Sequence, residues 1–321
     1  MKADCHYSWR DRLGNCLVRW NYGRNNHSVI PGLYAIGNPS ENDLTLVTAN
    51  YKFSFDMLRR ELTGLNVWIL VLDTKGINVW CAAGKGTFGT AELINRINSS
   101  GLSKIVKQRL LILPQLGAPG VSAHEVLKET GFRVVYGPVR ARDLPVFLKN
   151  GLQATEQMRE VTFTFRERIA VIPVELITTW KYITEFLLIF LILDIILGKF
   201  SSNLFINQIF PFIGAILSGV VIMPVLMPYL PVRSFTLKGI ILGMLWGLSV
   251  SAFQKASLLQ TSGNILLSSA ISGMLGLNFT GCTPIASQSG VKWEIKVFAK
   301  PVLSIGIVGI LLQIYNLISG I

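Results

Sequence analysis

Long apolar segments fill the second half of this 321-residue chain, and they constrain its fold more than any other feature. Residues 1–180 hold 22 Lys and Arg and 15 Asp and Glu, whereas residues 181–321 hold only 8 and 3. A membrane-spanning helix needs about 20 consecutive, mostly apolar residues. The sequence therefore predicts an all-α transmembrane domain of five helices over residues 182–321, with spans at about 182–198, 204–227, 238–254, 264–281 and 301–318.

The basic residues near the ends of these segments predict the orientation of the chain. Its polar, charged start lacks the apolar stretch of a secretory signal, so we expect the first half to stay in the cytoplasm. Cytoplasmic loops of membrane proteins carry an excess of Lys and Arg. Five spans then put five basic residues inside and two outside, which predicts a multi-pass protein of the inner (cytoplasmic) membrane with its C-terminus outside; they are Arg233, Lys238, Lys292, Lys296 and Lys300 against Lys199 and Lys255.

The first half alternates apolar runs with amphipathic stretches, which is typical of a parallel α/β sheet covered on both faces. We expect this domain to span residues 1–168, with a last edge strand at 159–168 and a linker at 169–181. The predicted strands are LTLVTA (44–49), NVWILVLD (66–73), RLLILP (109–114) and RVVYGPV (133–139), with helices at 54–63, 90–99, 122–130 and 143–150.

Four loops follow these strands, and ligands of open α/β sheets bind beyond the carboxyl ends of the strands. A cofactor should therefore touch all four loops. Gln115, Gly117 and Gly137 are the candidate contacts in the last two of them, which cover residues 115–120 and 137–143; the first two cover 48–52 and 74–86.

The stretch TKGINVWCAAGKGTFGT (74–90) carries the most specific pattern in the chain. Its glycines satisfy GxGxxG, but a dinucleotide fingerprint follows its strand directly, and here Asp73 lies eleven positions before Gly84. A phosphate-binding P-loop fails too, since it needs glycine where Val79 stands and Ser or Thr where Gly86 stands.

A short helix capped by Asn78 is the remaining interpretation of this stretch. It places Cys81 in the first turn, where amide donors and the helix dipole are expected to lower the pKa of the thiol. Ala82, Ala83 and Gly84 then leave little bulk around the sulfur, as a flat ligand requires. A helix whose cysteine and alanines only pack in the core is the competing interpretation.

The cysteines exclude two common kinds of metal site. Cys5, Cys16, Cys81 and Cys282 form no CxxC pair and no closely spaced set of four, so we expect no iron–sulfur cluster and no zinc site in this chain. Much of the positive charge is explained by the membrane topology, and no nucleic-acid-binding motif is present. A nucleic acid is therefore not expected as a partner.

NVWCAAGK (78–85) resembles the cap-helix signature of the corrinoid protein of the two-protein mercury-methylation system (the HgcA family), which is distantly similar to the corrinoid domain of the corrinoid iron–sulfur protein. The resemblance runs from about Pro31 to the C-terminus. It includes PGLYAIGNP (31–39), VTANYKFSFDMLRREL (47–62), VYGPVRARDLPVFL (135–148) and NFTGCTPIASQSGV (278–291).

This resemblance implies a Rossmann-like, cytoplasmic corrinoid-binding domain followed by a five-helix membrane domain. It implies that Cys81 is the lower axial ligand of the corrinoid cobalt and that Thr48 faces the corrinoid. Asn78 and Trp80 carry over as cap-helix neighbours of the cofactor. The other helix residues are further cofactor-binding candidates, namely Val79, Ala82, Ala83, Gly84 and Lys85.

The activity that the resemblance implies is methyl transfer from methyl-Co(III) to Hg(II), which forms methylmercury. A reductant must then restore the cobalt, and the resemblance implies a ferredoxin-like partner with two [4Fe–4S] clusters. A methyltetrahydrofolate-type system would supply the methyl group. Two alternatives stay open: a corrinoid methyl carrier for another acceptor, and a membrane transporter with a cytoplasmic ligand-binding domain.

Overall fold

A computed structural model describes residues 1–196, 198, 202–283 and 285–319 of the chain. Lys199 and Ile321, on which the predicted orientation draws, lie outside the described residues, and so does the side chain of Cys282. The chain divides into two compact units, Met1–Val161 and Thr162–Ile321. The division therefore falls before the predicted boundary at residue 168.

The first unit contains one six-stranded sheet with the strand order β1-β2-β4-β3-β5-β6. The four strands from β4 to β6 run parallel, β2 is antiparallel to β4, and the short β1 runs parallel to β2. The six strands are Lys2–Ala3 (β1), Gly32–Ile36 (β2), Thr45–Ala49 (β3), Val67–Leu72 (β4), Leu110–Leu113 (β5) and Arg133–Tyr136 (β6).

Helices cover both faces of this sheet, and its central strands are buried along most of their length. All five residues of β3 and all four of β5 are buried, as expected of parallel strands that are covered on both sides. The helices are Trp9–Arg19 (α1), Lys52–Arg60 (α2), Val79–Lys85 (α3), Thr90–Ser99 (α4), Leu102–Ile105 (α5), Ala123–Thr130 (α6), Leu144–Lys149 (α7) and Glu156–Arg159 (α8), with 3-10 turns at Arg24–Asn26, Gln115–Gly120 and Ala141–Asp143.

The α/β prediction is confirmed by these elements, since the four predicted strands are β3 to β6 and the ends of the four predicted helices lie within three residues of those of α2, α4, α6 and α7. The predicted edge strand at 159–168 is wrong. Thr164 instead donates its hydroxyl to Glu167 and also hydrogen-bonds it through its backbone N–H, at 2.9 and 2.6 Å. Because these bonds satisfy the first turn of a helix that begins at Phe165, the segment leaves the extended conformation there.

The first thirty residues, which match no pattern in the sequence, fold onto this sheet through charged groups. Asp11 of α1 pairs with Lys52 and Arg59 of α2 at 2.6 and 2.9 Å. Asp56, which is 1 % exposed, pairs with the same two cations and accepts a hydrogen bond from the Asn15 amide at 3.2 Å. Helix α1 is thus held by a polar network and not by apolar packing alone.

The second unit is all-helical. Four of its helices are long and apolar enough to cross a membrane within the part of the chain that the structure describes: Phe165–Leu193, Asn207–Tyr229, Phe235–Gln254 and Ser289–Ser319. Its elements are Phe165–Ile196 (α9), Ser202–Leu217 (α10), a π-helical turn Ser218–Ile222, Met223–Leu226 (α11), a 3-10 turn Met227–Tyr229, Phe235–Gln254 (α12), Leu258–Cys282 (α13) and Gln288–Ser319 (α14).

The predicted fourth span, 264–281, lies inside helix α13. This helix is not among the four that meet the length and hydropathy requirement, because Asn, Ser and Gly residues interrupt its apolar ones. The five-span topology therefore stays a prediction. The predicted linker 169–181 is helical and lies within α9.

Helices α12 and α13 approach each other unusually closely along a row of glycines. A Cβ on Gly239 would lie 2.1 Å from the carbonyl oxygen of Ser272, and one on Gly243 would lie 2.2 Å from that of Ser268. This i, i+4 spacing of small residues is what lets helix backbones meet in membranes. The buried carboxylate of Glu294 on α14 accepts hydrogen bonds from the backbone N–H groups of Phe235 and Thr236, and so caps α12.

Candidate cofactor-binding site

The carboxyl ends of the four parallel strands β4, β3, β5 and β6 lie side by side at one edge of the sheet. The loops that leave these ends are the four predicted to touch a cofactor. The most structured of them follows β4 and contains helix α3, whereas the loop after β5 forms the 3-10 turn Gln115–Gly120. These two elements pack against each other.

Helix α3 has the cap and the end that the sequence predicts. The side-chain oxygen of Asn78 accepts a hydrogen bond from the backbone N–H of Cys81 at 2.9 Å. Gly86 ends the helix with φ at +80°, a conformation that suits glycine. Cys81 therefore lies at the third position of the helix, with its backbone fixed by the Asn78 side chain.

The two sides of α3 differ sharply in burial. Val79, Ala82 and Ala83 point into the core, where they pack around Phe88, and Ala82 is fully buried. Their side chains hold the helix on the sheet and do not line its open side. The remaining side faces outward: Trp80 and Cys81 are half-buried, and Gly84 and Lys85 are exposed.

Glycines in the neighbouring turn allow α3 to lie this close to it. A Cβ on Gly120 would lie 2.1 Å from the carbonyl oxygen of Phe88 and 3.1 Å from the Cα of Ala83. A Cβ on Gly117 would lie 2.5 Å from the Phe88 ring. The turn and the helix therefore form one packed edge, in which these two glycines cannot be enlarged without displacing backbone or ring.

The predicted lowering of the Cys81 pKa is wrong. Burial raises the pKa of the thiol above its usual value, although the hydrogen bond of Asn78 and the positive charges of Lys85 and Arg24 act in the opposite direction. The helix dipole does not lower the pKa here, because α3 is only seven residues long and the Cys81 side chain is half-buried against the domain. A metal that binds the sulfur would remove its proton regardless of this shift.

Asn50 is a positioning residue that the sequence interpretation does not include. It is 5 % exposed and follows β3 directly. Its side-chain oxygen accepts hydrogen bonds from the backbone N–H and the hydroxyl of Thr74 at 3.0 and 2.8 Å, and from the Gly76 N–H at 3.0 Å. One amide thus fixes the whole segment that enters α3. No local motif marks Asn50, because its partners lie more than twenty positions further along the chain.

Tyr51 and Arg24 are further side chains near this edge that the sequence interpretation does not include. Tyr51 is buried, and burial raises the pKa of its phenol while the charges of Arg24 and Arg19 oppose the rise. The charge of Arg24 acts on both Tyr51 and Cys81. The N-terminal thirty residues therefore contribute cationic side chains near the open side of α3.

The structure places the other predicted contacts at the same edge. Thr48 is buried near the end of β3 and pairs with Val71 of β4 across the sheet. Gln115 is half-buried and starts the 3-10 turn after β5. Gly137 follows β6 and donates its backbone N–H to Leu113 at 2.8 Å. All three positions lie at or next to the carboxyl ends of strands, and their contact with a ligand stays a prediction.

Comparison with known proteins finds similarity in the part of the chain that contains this edge. Residues 21–148 match the family described as CO dehydrogenase/acetyl-CoA synthase delta subunit (CdhD). That match covers the sheet from β2 to β6, the four loops and α3. It leaves out α1 and the whole second unit.

Curated relatives cover the same part of the chain. The acetyl-CoA decarbonylase/synthase complex subunit gamma of Methanopyrus kandleri is 32 % identical over 137 residues, which are 42 % of this chain and 29 % of the relative. The corresponding subunit of Methanocaldococcus jannaschii is 32 % identical over 129 residues, or 40 % of this chain and 26 % of the relative. The corrinoid/iron–sulfur protein large subunit of Moorella thermoacetica is 27 % identical over 122 residues, or 37 % and 27 %.

The first unit is thus distantly similar to the corrinoid domain of the corrinoid iron–sulfur protein, which bears out that part of the resemblance. The chain spans less than a third of the length of these relatives. It joins a Rossmann-like α/β domain to helices that are long and apolar enough to cross a membrane.

A separate cavity of about 360 Å³ lies within the second unit. Carboxamide side chains make up half of its lining, and Asn264 links two of its neighbours: its amide nitrogen donates to Ser251 at 3.0 Å and its oxygen accepts from Gln313 at 2.6 Å. Stacked phenylalanines complete the wall, with the Phe186 and Phe212 rings 3.6 Å apart. The described lining of the cavity therefore combines carboxamide with apolar side chains and carries no charged residue.

Proposed function

We propose that this chain is a membrane-anchored, corrinoid-dependent methyltransferase that passes a methyl group from the cofactor to Hg(II) and forms methylmercury. Cys81 carries the proposal, because it is the half-buried thiol on the open side of a capped helix, at the sheet edge of a domain similar to corrinoid proteins. The mercury acceptor rests on the resemblance of residues 78–85 and 278–291 to the mercury-methylation family.

The residues at this edge fit a flat macrocyclic cofactor. A single cysteine sulfur would be enough to hold a metal whose other ligands come mainly from a macrocycle. Gly84 leaves the helix surface beside Cys81 without a side chain, and Gly117 and Gly120 draw the neighbouring turn close to the helix. When bound, the corrinoid supplies a cobalt that accepts a methyl group from a donor and releases it to a soft acceptor, after which reduction returns the cobalt to its starting state.

Each residue has a distinct task in this proposal. Cys81 would hold the cobalt through its sulfur, and a thiolate, which donates more electron density than an imidazole, would favour transfer of the methyl group to a soft acceptor such as Hg(II). Asn78 fixes the backbone of Cys81 through its cap, and Asn50 fixes the segment that leads into the helix. Thr48, Gln115 and Gly137 are proposed contacts from the other three strand ends.

Electrons and methyl groups must come from outside the chain. Transfer of the methyl group as a carbanion consumes two electrons for each turnover, so we propose a ferredoxin-like partner with two [4Fe–4S] clusters as reductant. We propose a methyltetrahydrofolate-type system as the methyl donor. The proposed place of reaction is the cytoplasmic face of the inner membrane, with the C-terminus outside.

The test of this proposal is methyl transfer by the purified full chain loaded with methylcobalamin and supplied with Hg(II) and a low-potential ferredoxin. We expect methylmercury from the wild type and from Cys16→Ala, an exposed thiol on α1, but little from Cys81→Ala. A Cys81→Ala chain that forms methylmercury at the wild-type rate would overturn the proposal.

Two alternative functions predict different outcomes. A corrinoid carrier for another acceptor would bind cobalt through Cys81 but form no methylmercury. A transporter would carry solute through the second unit, where the carboxamide-lined cavity is the feature that favours it. In that case Asn264→Leu would abolish uptake into vesicles while Cys81→Ala left uptake unchanged.

A further inference from the structure

Helix α1 packs a largely polar face against the domain that carries it and exposes most of its large apolar side chains. The face packed on the domain presents Asn15, which is 2 % exposed, and Asp11, which pairs with Lys52 and Arg59. An ordinary surface helix buries an apolar stripe and turns its charges outward. Here the buried face combines one core residue, Val18, which is 2 % exposed, with polar residues that are hydrogen-bonded or ion-paired to the domain.

The outward face of α1 carries large apolar side chains in a single stripe. We call this stripe the apolar face of α1; it consists of Trp9, Leu13, Cys16, Leu17 and the C-cap residue Trp20. The spacing of four, three, one and three residues keeps all five on one side of a helix. Trp9 is 67 % exposed, and Leu13 and Trp20 are each 50 % exposed. A stripe of this size on a soluble surface marks an interaction site.

Arginines border the stripe on both sides. Arg10 lies on one flank, and Arg12 and Arg19 lie on the other, all three exposed. The one carboxylate of the helix, Asp11, is engaged on the opposite face with Lys52 and Arg59. The surroundings of the apolar face are therefore cationic, and an anionic partner surface complements them.

We propose that the apolar face of α1 lies on the surface of the membrane that the chain's own helices cross, with its arginines among anionic lipid headgroups. Tryptophan and leucine on one face and arginine on the flanks are typical of helices that lie in a membrane interface. Aromatic side chains such as Trp9 and Trp20, at the two ends of the stripe, prefer the level of the headgroups.

The covalent connection to the membrane helices favours a lipid surface over a soluble partner. Helix α9, the first of the candidate spans, begins at Phe165, shortly after the first unit ends at Val161. Because the same chain enters the bilayer, contact of α1 with lipid is an intramolecular event and is favoured by a high effective concentration. Anionic lipids add an attraction to arginine that decreases with salt. The contact would anchor the corrinoid-like domain at a second point.

The native thiol at residue 16 provides the test, because it lies in the middle of the stripe and is exposed. The full chain is placed in nanodiscs of phosphatidylcholine with or without phosphatidylglycerol and treated with a membrane-impermeant maleimide. Peptide mass spectrometry then measures the modification rate of Cys16 separately from that of the other cysteines. A thiol introduced by Lys128→Cys, an exposed residue of α6, is the matched control.

We expect modification of Cys16 to be slowed by about tenfold or more in the anionic nanodiscs relative to detergent, while the Lys128→Cys thiol reacts equally in both. Arg10→Gln with Arg12→Gln, or Leu13→Asp, should restore the reactivity of Cys16 without changing the amount of bound cobalt. That cobalt content separates a failure of this proposal from a failure of the corrinoid assignment.

Two results would overturn the proposal. The first is a Cys16 that reacts in anionic nanodiscs as fast as the Lys128→Cys thiol. The second is protection of Cys16 that rises with protein concentration in lipid-free detergent, since this would make the apolar face of α1 a contact between two copies of the chain.

Discussion

Helices α3 and α1 are both short, both lie on the same α/β domain, and both carry an accessible cysteine, yet they are attached in opposite ways. Helix α3 buries Val79, Ala82 and Ala83 and turns Cys81 outward. Helix α1 buries Val18 together with Asn15 and the ion pairs of Asp11, and turns its apolar face outward. Apolar burial fixes a helix in one position, which suits α3 as a rigid platform for a ligand. A charged attachment depends on pH, and such an attachment suits α1 as a surface contact.

The largest effect is expected from Asp56→Ala, which removes the buried carboxylate beneath α1. It leaves the guanidinium of Arg59 without its buried partner, which costs about 3–5 kcal/mol in the free energy of unfolding. Hydrogen exchange on the full chain should show a loss of protection that is greatest in α1 and smallest in α3. Glu41→Ala, which breaks the exposed ion pair with Lys107, should cost less than about 1 kcal/mol. Equal losses in both variants would contradict the polar attachment of α1.

The attachment of α3 is tested by Gly120→Ala. The added Cβ would lie 2.1 Å from the Phe88 carbonyl oxygen, so the turn must move away from α3 at a cost of about 1–3 kcal/mol. Urea unfolding of the first unit within the full chain measures this cost. The control is Gly14→Ala in α1, where the nearest side-chain atom is 3.3 Å away and alanine favours the helix. The packing account fails if the two substitutions have the same effect.

A smaller effect is expected from Asn78→Ala, which removes the cap of α3. Loss of such a cap costs about 0.5–2 kcal/mol, and we expect faster hydrogen exchange at the Cys81 amide with little change in α1. Asn78→Asp keeps an oxygen acceptor at the same position and should behave nearly as the wild type. If Asn78→Asp loosened α3 as much as Asn78→Ala, the cap would not be the reason for the order of the helix.

The smallest effect is the acid sensitivity of α1. Burial alone would raise the pKa of Asp11, but hydrogen bonds from Lys52 and Ser8 hold it well below its usual range. A carboxylate whose pKa is lowered by folding stabilises the fold fully above its unfolded pKa of about 3.9 and loses this contribution as the pH falls towards the folded value. Protection of α1 against hydrogen exchange should therefore decrease below about pH 4 and that of α3 should not. An Asp11→Asn chain should show no such dependence of α1.

Much of this architecture can be predicted from the sequence, because local patterns determine it. The continuous apolar runs at 44–49 and 66–73 predict buried parallel strands, and Asn78 with Gly86 predicts both ends of α3. The segment 159–168 misleads because its alternation of polar and apolar residues is that of a strand, while the Thr164–Glu167 pair, a helix-start signal, decides the outcome.

What the sequence does not predict depends on contacts between distant residues. Asn50 orders the segment before α3 through bonds to Thr74 and Gly76, more than twenty positions away. The pKa of Cys81 follows from how deeply the helix is seated, which no local motif encodes. The network of Asp11 with Lys52 and Arg59 joins segments that share no pattern, so the fold of the first thirty residues is visible only in three dimensions.

X-ray absorption at the cobalt edge of the corrinoid-loaded full chain tests the central claim most directly. The account predicts a sulfur neighbour of cobalt in the wild type and in Cys16→Ala, and its loss in Cys81→Ala with cobalt still bound through the other strand-end loops. Identical cobalt surroundings in the wild type and Cys81→Ala would contradict the assignment of Cys81 as the axial ligand and of this sheet edge as the site of methyl transfer.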